Sequence, residues 1–131
     1  MKTIYALVLA ILASVTLGCG YSAKTTPPVA GTMPAIAALS PNSTTAGSAD
    51  FTLTVNGTNF GTKASVNWGG VAQTTTYVNG TQLSIAVPAA AVANSGTVAI
   101  TVTNPGTTGT GQYGSGGTLP ETSAPMTFTI N

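Results

Sequence analysis

Few side chains in this chain can move a proton near neutral pH. Its 131 residues include no histidine and no arginine. After the leader, the titratable groups are Asp50, Glu121, Lys24, Lys63, the phenols of Tyr21, Tyr77 and Tyr113, and the single thiol, Cys19. General acid-base catalysis needs a positioned group with a pKa near the working pH, and a serine nucleophile needs a base beside it. No histidine exists to activate a serine, and neither lysine has a serine partner at a recognisable spacing. Calcium takes six to eight oxygens with several carboxylates, and zinc takes thiolates and imidazoles. Two isolated acids and one cysteine supply neither set. The expectation is a protein without catalytic residues, metal or cofactor.

One stretch looks like an exception. Gly57 to Lys63, "GTNFGTK", follows the alternating run "FTLTVN" and places a lysine at the end of a glycine-containing loop. A phosphate-binding loop has its lysine directly after the last glycine, a Ser or Thr next for magnesium, and a helix beyond. Here Thr62 intervenes and the β-patterned "ASVNW" follows. The β-patterned continuation makes the segment a loop between strands. No nucleotide is expected. Nucleic acid is excluded on charge, because phosphate neutralisation needs a basic patch and the formal net charge is only +1.

The elements that position these residues begin with the leader. "MKTIYALVLAILASVTLGCG" has Lys2, an apolar run from Ile4 to about Leu17, and small residues around Gly18. This is the pattern of a secretory signal, and the run is short for a bilayer span of roughly twenty residues. A lone cysteine cannot form an intramolecular disulfide. "TLGC", Thr16 to Cys19, resembles the bacterial lipoprotein box, although Thr16 and Leu17 stand where that family usually has Leu and then Ala or Ser. The resemblance implies cleavage before Cys19, acylation of Cys19, and a membrane partner through that lipid. The chain is expected to be exported to the bacterial cell envelope.

Residues 1–18 are thus assigned to the signal, and residues 19–33 to the lipid-attachment cysteine and a flexible linker. "GYSAKTTPPVAGTM" has no periodicity, and Pro27-Pro28 favours an extended path. From Pro34 the pattern changes to period two: "PAIAAL", "FTLTV", "ASVNW", "QLSIAV", "VAITV" and "MTFTI". Alternation places Phe51, Leu53, Val55; Val66, Trp68; Leu83, Ile85, Val87; Val98, Ile100, Val102; and Met126, Phe128, Ile130 on inward faces. Short strands polar on one side and separated by turns predict antiparallel sheets packed as an all-β sandwich over residues 34–131. "AAAVA" around Val92 is the one candidate for a helical turn.

Taken in order, "PAIAALSPNS", "FTLTVNGTNF", "VNWGG", "LSIAVPAA", "VAITVTNPG" and the last "FTI" resemble an IPT/TIG domain. That family implies an immunoglobulin-like antiparallel β-sandwich found in surface receptors, bacterial surface proteins, enzyme accessory modules and some transcription factors. The resemblance also implies that "GTNF" closes the second strand, with Phe60 in the core and the glycines letting the chain reverse. It does not imply one activity.

Candidate recognition residues are then few. Trp68 shares parity with Val66 and is expected between the sheets, while Tyr77 could face either way. Asn42, Asn56 and Asn79 begin Asn-x-Ser/Thr triplets, and they read as turn asparagines, two of them in Asn-Gly turns. The segment Asn104 to Pro125 is long for a connection without secondary structure, and holds six glycines around one aromatic, Tyr113. Gly111, Gln112, Tyr113 and Gly114 are its candidate partner-binding residues, since a tyrosine offers large amphipathic contact area at small entropic cost. The expected role is protein interaction or structural support, with a carbohydrate-binding surface module as the alternative.

Overall fold

The computed structural model describes residues 28–109 and 116–131. Ten strands and one 3₁₀ turn follow in order: β1 (Ala35–Ser40), β2 (Ser43–Thr44), β3 (Phe51–Thr58), β4 (Ser65–Trp68), β5 (Val71–Ala72), β6 (Thr75–Asn79), β7 (Gln82–Val87), the turn Ala89–Val92, β8 (Gly96–Asn104), β9 (Glu121–Thr122) and β10 (Met126–Ile130). One sheet has the order β1-β3-β7-β6, and the other β2-β10-β8-β4-β5, with β9 also paired to β8. All pairs are antiparallel except β2 with β10. The chain crosses between sheets twice at open edges, from β1 to β2 and from β5 to β6. This is the antiparallel immunoglobulin-like sandwich that the strand pattern predicts.

The core forms where period two directs apolar side chains inward from both sheets. Leu53 and Val55 of β3, Leu83 of β7, Val66 of β4, Ile100 and Val102 of β8 and Phe128 of β10 are fully buried. Not every inward position is deep: Phe51, Trp68, Val98 and Met126 are half-buried, whereas Phe128, which packs against Phe51 and Trp68, is enclosed. Trp68 therefore has the predicted parity but not the predicted depth. Its ring packs on Phe128 with centroids 5.2 Å apart at 53°, and Phe51 stacks on the same phenylalanine at 5.9 Å. Trp68 is the last residue of β4, and its side chain is half-buried there.

The turn after β3 solves a packing problem with three residues. Phe60 is 4% exposed, and it reaches the core because Gly57 has no side chain. A Cβ on Gly57 would lie 2.5 Å from Phe60 Cζ and would also collide with the Ala35 carbonyl. The reversal itself is made by Asn59, whose φ of 60° is left-handed. This corrects the expectation that the glycines reverse the chain: Gly57 lies inside β3 and allows close approach, and asparagine tolerates the αL turn. For the same reason Asn56-Gly57 is not a turn. Asn79 is one: its Oδ1 accepts from the Thr81 N–H at 2.9 Å and the Thr81 hydroxyl at 2.7 Å, closing the β6–β7 hairpin.

The connection after β8, expected as a bare loop, carries structure at both stems. Thr107 and Thr118 exchange backbone hydrogen bonds of 3.0 Å, and β9 pairs Thr122 with Thr103. Between β9 and β10 the ladder breaks at Ser123, which is buried. Its N–H donates to Val102 O at 2.8 Å, and its hydroxyl accepts the Val102 N–H at 2.9 Å while donating to Ala124 O at 3.0 Å. The serine side chain thus replaces a ladder carbonyl. Glycines and threonines without alternation hide all of this from a pattern search.

Candidate functional site

A concavity lies at the end of the sandwich where the β3–β4 turn meets the stems of the β8–β9 connection. It is an open cleft of about 840 Å³, with Asn59, Lys63, Asn104, Thr107, Thr118 and Leu119 among its lining residues. Asn104, the last residue of β8, holds its floor together. The side-chain oxygen accepts the Gly61 N–H at 2.9 Å, and Nδ2 donates to Thr32 O and Asn59 O at 2.8 Å each. One amide thereby ties β8 to the β3–β4 turn and to the segment preceding β1.

That segment is the end of the expected linker. Val29 donates to Gly117 O at 3.1 Å and accepts from Leu119 N at 3.0 Å. Asn59 Nδ2 donates to Met33 O at 3.3 Å. Residues 29–33 are therefore laid against the cleft end rather than hanging free of it.

The arrangement offers hydrogen bonds and little chemistry. Lys63 is exposed on the rim, and β4 follows it as a strand, so the "GTNFGTK" turn caps no helix. The two acids stand at opposite ends of the molecule. Asp50 Oδ1 accepts the Ala89 N–H at 2.7 Å beside the 3₁₀ turn, whereas Glu121 lies in β9 opposite Asn104. They cannot act as a carboxylate pair. Among the described residues, no group of three or more His, Cys, Asp or Glu side chains comes together, and no helix is long and apolar enough to cross a membrane.

A second, smaller hollow of about 170 Å³ opens between the sheets beside the β5–β6 crossover. Trp68 and Gln73 border it on one side, and Ile85, Val87, Pro88 and Ala91 give it apolar walls. Its signal in the sequence was the position of Trp68 at a strand end, next to Gly69-Gly70, where burial must fade.

Exposed large apolar side chains fall into two groups. Val71, Tyr77 and Val78 belong to β5 and β6, each the last strand of its sheet, and Val29, Met33 and Leu119 belong to the cleft end. Tyr77 pairs with fully buried Leu83, so it lies on the inward face of β6, and it is 38% exposed because that strand is at the edge of its sheet. The predicted recognition residues Gly111, Gln112, Tyr113 and Gly114 lie outside the described residues, as does Cys19.

Residues 34–119 match the family model of the IPT/TIG domain. No curated protein sequence matches the chain.

Proposed function

Because the chain belongs to the IPT/TIG family of immunoglobulin-like domains, we propose that it is an exported, lipid-anchored, non-catalytic module that binds another protein of the bacterial envelope. The observation that carries this reading is the β6 edge. Among the described residues, Thr75–Asn79 pairs with one strand, β7, and no strand pairs with its other side, though the Thr75 hydroxyl accepts from Val66 N of the other sheet at 2.9 Å. Natural edges are blunted by charge, proline or bulges. Here the register shifts between Tyr77 and Asn79, which makes Val78 a bulge, but the strand has no charge and exposes Tyr77 and Val78. Such an edge suits an extended segment of a partner that adds its own strand and fits alternate side chains beside Tyr77.

A photo-activated cross-linker at position 78, in cells, tests the edge against a control at Thr129 on the outer face of the other sheet. A discrete adduct from position 78, lost when Tyr77→Ala is added, is the expected result. Equal yields from both positions would overturn the reading. Tyr113→Ala in the same experiment measures what the β8–β9 connection adds. Mass spectrometry of the envelope protein tests the anchor: acylated Cys19 should be its first residue, and an unmodified thiol would refute that.

The hollow at Trp68 supports the alternative of carbohydrate binding. A half-covered indole, a glutamine amide and apolar walls fit one face of a sugar ring. Trp68 is the only tryptophan, so its emission should shift on titration with a bound glycan and stay fixed if no glycan binds.

A further inference from the structure

We infer that the cleft end of the sandwich seats on the lipid bilayer in which Cys19 is anchored, an inference that rests on the acylation proposed above. Nine residue steps separate Cys19 from Pro28, and at full extension they reach ~30 Å. From Val29 onward the chain is held, because Val29 is bonded to Gly117 and Leu119 at the cleft end. The attachment point therefore leaves from that end. The opposite end, with the 3₁₀ turn and the Asn94–Gly96 bend, is the length of β8 away, nine residues or ~30 Å of strand.

The cleft end also has the surface for such a contact. Val29, Met33 and Leu119 are 61%, 55% and 49% exposed. Leu119 N–H bonds to Val29 O, and Met33 lies four residues along the same segment. Three apolar side chains in water beside a membrane tether are placed to enter the headgroup and acyl boundary. Each contact is weak alone, but a short tether holds the end at high local concentration over the bilayer. The charged groups described at this end are Lys63 and Glu121, one of each sign. Lys24, between Cys19 and Val29, adds only the weak attraction of a single lysine to an anionic surface, so the contact is mainly apolar and should not require anionic lipid.

Acylation leaves Cys19 without a free thiol, so a single introduced cysteine can be labelled uniquely in the full protein. Thr62→Cys at the cleft end and Asn94→Cys at the far end, both exposed positions, would carry a fluorophore. The acylated proteins would be reconstituted into phosphatidylcholine vesicles, with and without phosphatidylglycerol, containing nitroxide-labelled lipid. Flotation shows attachment, and quenching reports proximity. Emission should be lost at position 62 and retained at position 94 in both lipid mixtures. Replacing Val29, Met33 and Leu119 by serine should restore emission at 62 while the protein still floats. Floated protein with equal quenching at 62 and 94 would overturn the seating alone. Protein that does not float would overturn the acylation, and the seating with it.

Discussion

Gly57 and Phe60 act as one unit, because the ring occupies the space that a side chain at Gly57 would fill. A methyl there must displace the ring or push β1 from β3, and overpacking of this kind costs about 1–3 kcal/mol. Gly57→Ala should therefore lower the denaturant midpoint, while Phe60→Ala, which empties a buried site, should cost about 3–5 kcal/mol. Combining the two should cost less than the sum, since Phe60→Ala removes one source of the clash; a double-mutant cycle measures the coupling. Ser123 presents a different case. Ser123→Ala leaves the buried Val102 N–H without its acceptor, which costs about 1–3 kcal/mol. Thr at this position keeps the hydroxyl and should lose less. Trp68, half-buried at the sandwich rim, should cost about 2 kcal/mol on truncation to alanine, below the roughly 3–5 of a fully enclosed aromatic. Parity showed correctly which way Trp68 faces, but parity is blind to depth. Depth depends on where a strand ends relative to the facing sheet.

At the scale of elements, the strands with a clear period of two were legible: β3, β4, β7, β8 and β10 lie where alternation puts them, and β1 lies where expected although a bulge after Ile36 breaks its period. The others were not, for physical reasons. β2, β5 and β9 have two residues each, too few to show a period. β6 is an edge strand whose residues are mostly exposed, so it has no apolar face to advertise. The cleft was illegible because Asn104 brings its parts together, and an asparagine side chain bonded to two distant segments has no signature in sequence. Asn104→Ala should release Thr32, Asn59 and Gly61 together, and hydrogen exchange at the Gly61 amide, which bonds to Asn104 Oδ1, should rise first. The β8–β9 connection leads to a prediction of tolerance. Thr107 and Thr118 already pair, so replacing residues 109–116 by a short turn should alter stability by less than about 1 kcal/mol, because loop closure depends only weakly on length. A large loss of stability on that replacement would mean that the excised residues are packed on the domain.

For the whole molecule, the two ends of the sandwich differ in kind. One has the segment leading into β1, the cleft and three exposed apolar residues, and the other has the aromatic cluster around Phe128, the 3₁₀ turn and Asn131, whose carbonyl accepts from Ala46 N at 2.7 Å. Between them, β10 lies inside its sheet, flanked by β2 and β8, and supplies Phe128 and Ile130 to the core. Removing the chain from Met126 onward should abolish cooperative unfolding altogether, which thermal melts followed by circular dichroism would show. The pairing of Ser43 and Thr44 with Thr129 and Ile130 has a temporal meaning as well. A chain emerging N-terminus first cannot close this sheet until its last strand has appeared, so the order of synthesis leaves β2 waiting for almost the entire domain. Topologies dominated by such distant pairings fold on the order of milliseconds to seconds. Until then the sheet holding β2 lacks the strand that delivers Phe128 and Ile130, and the sandwich cannot complete its core.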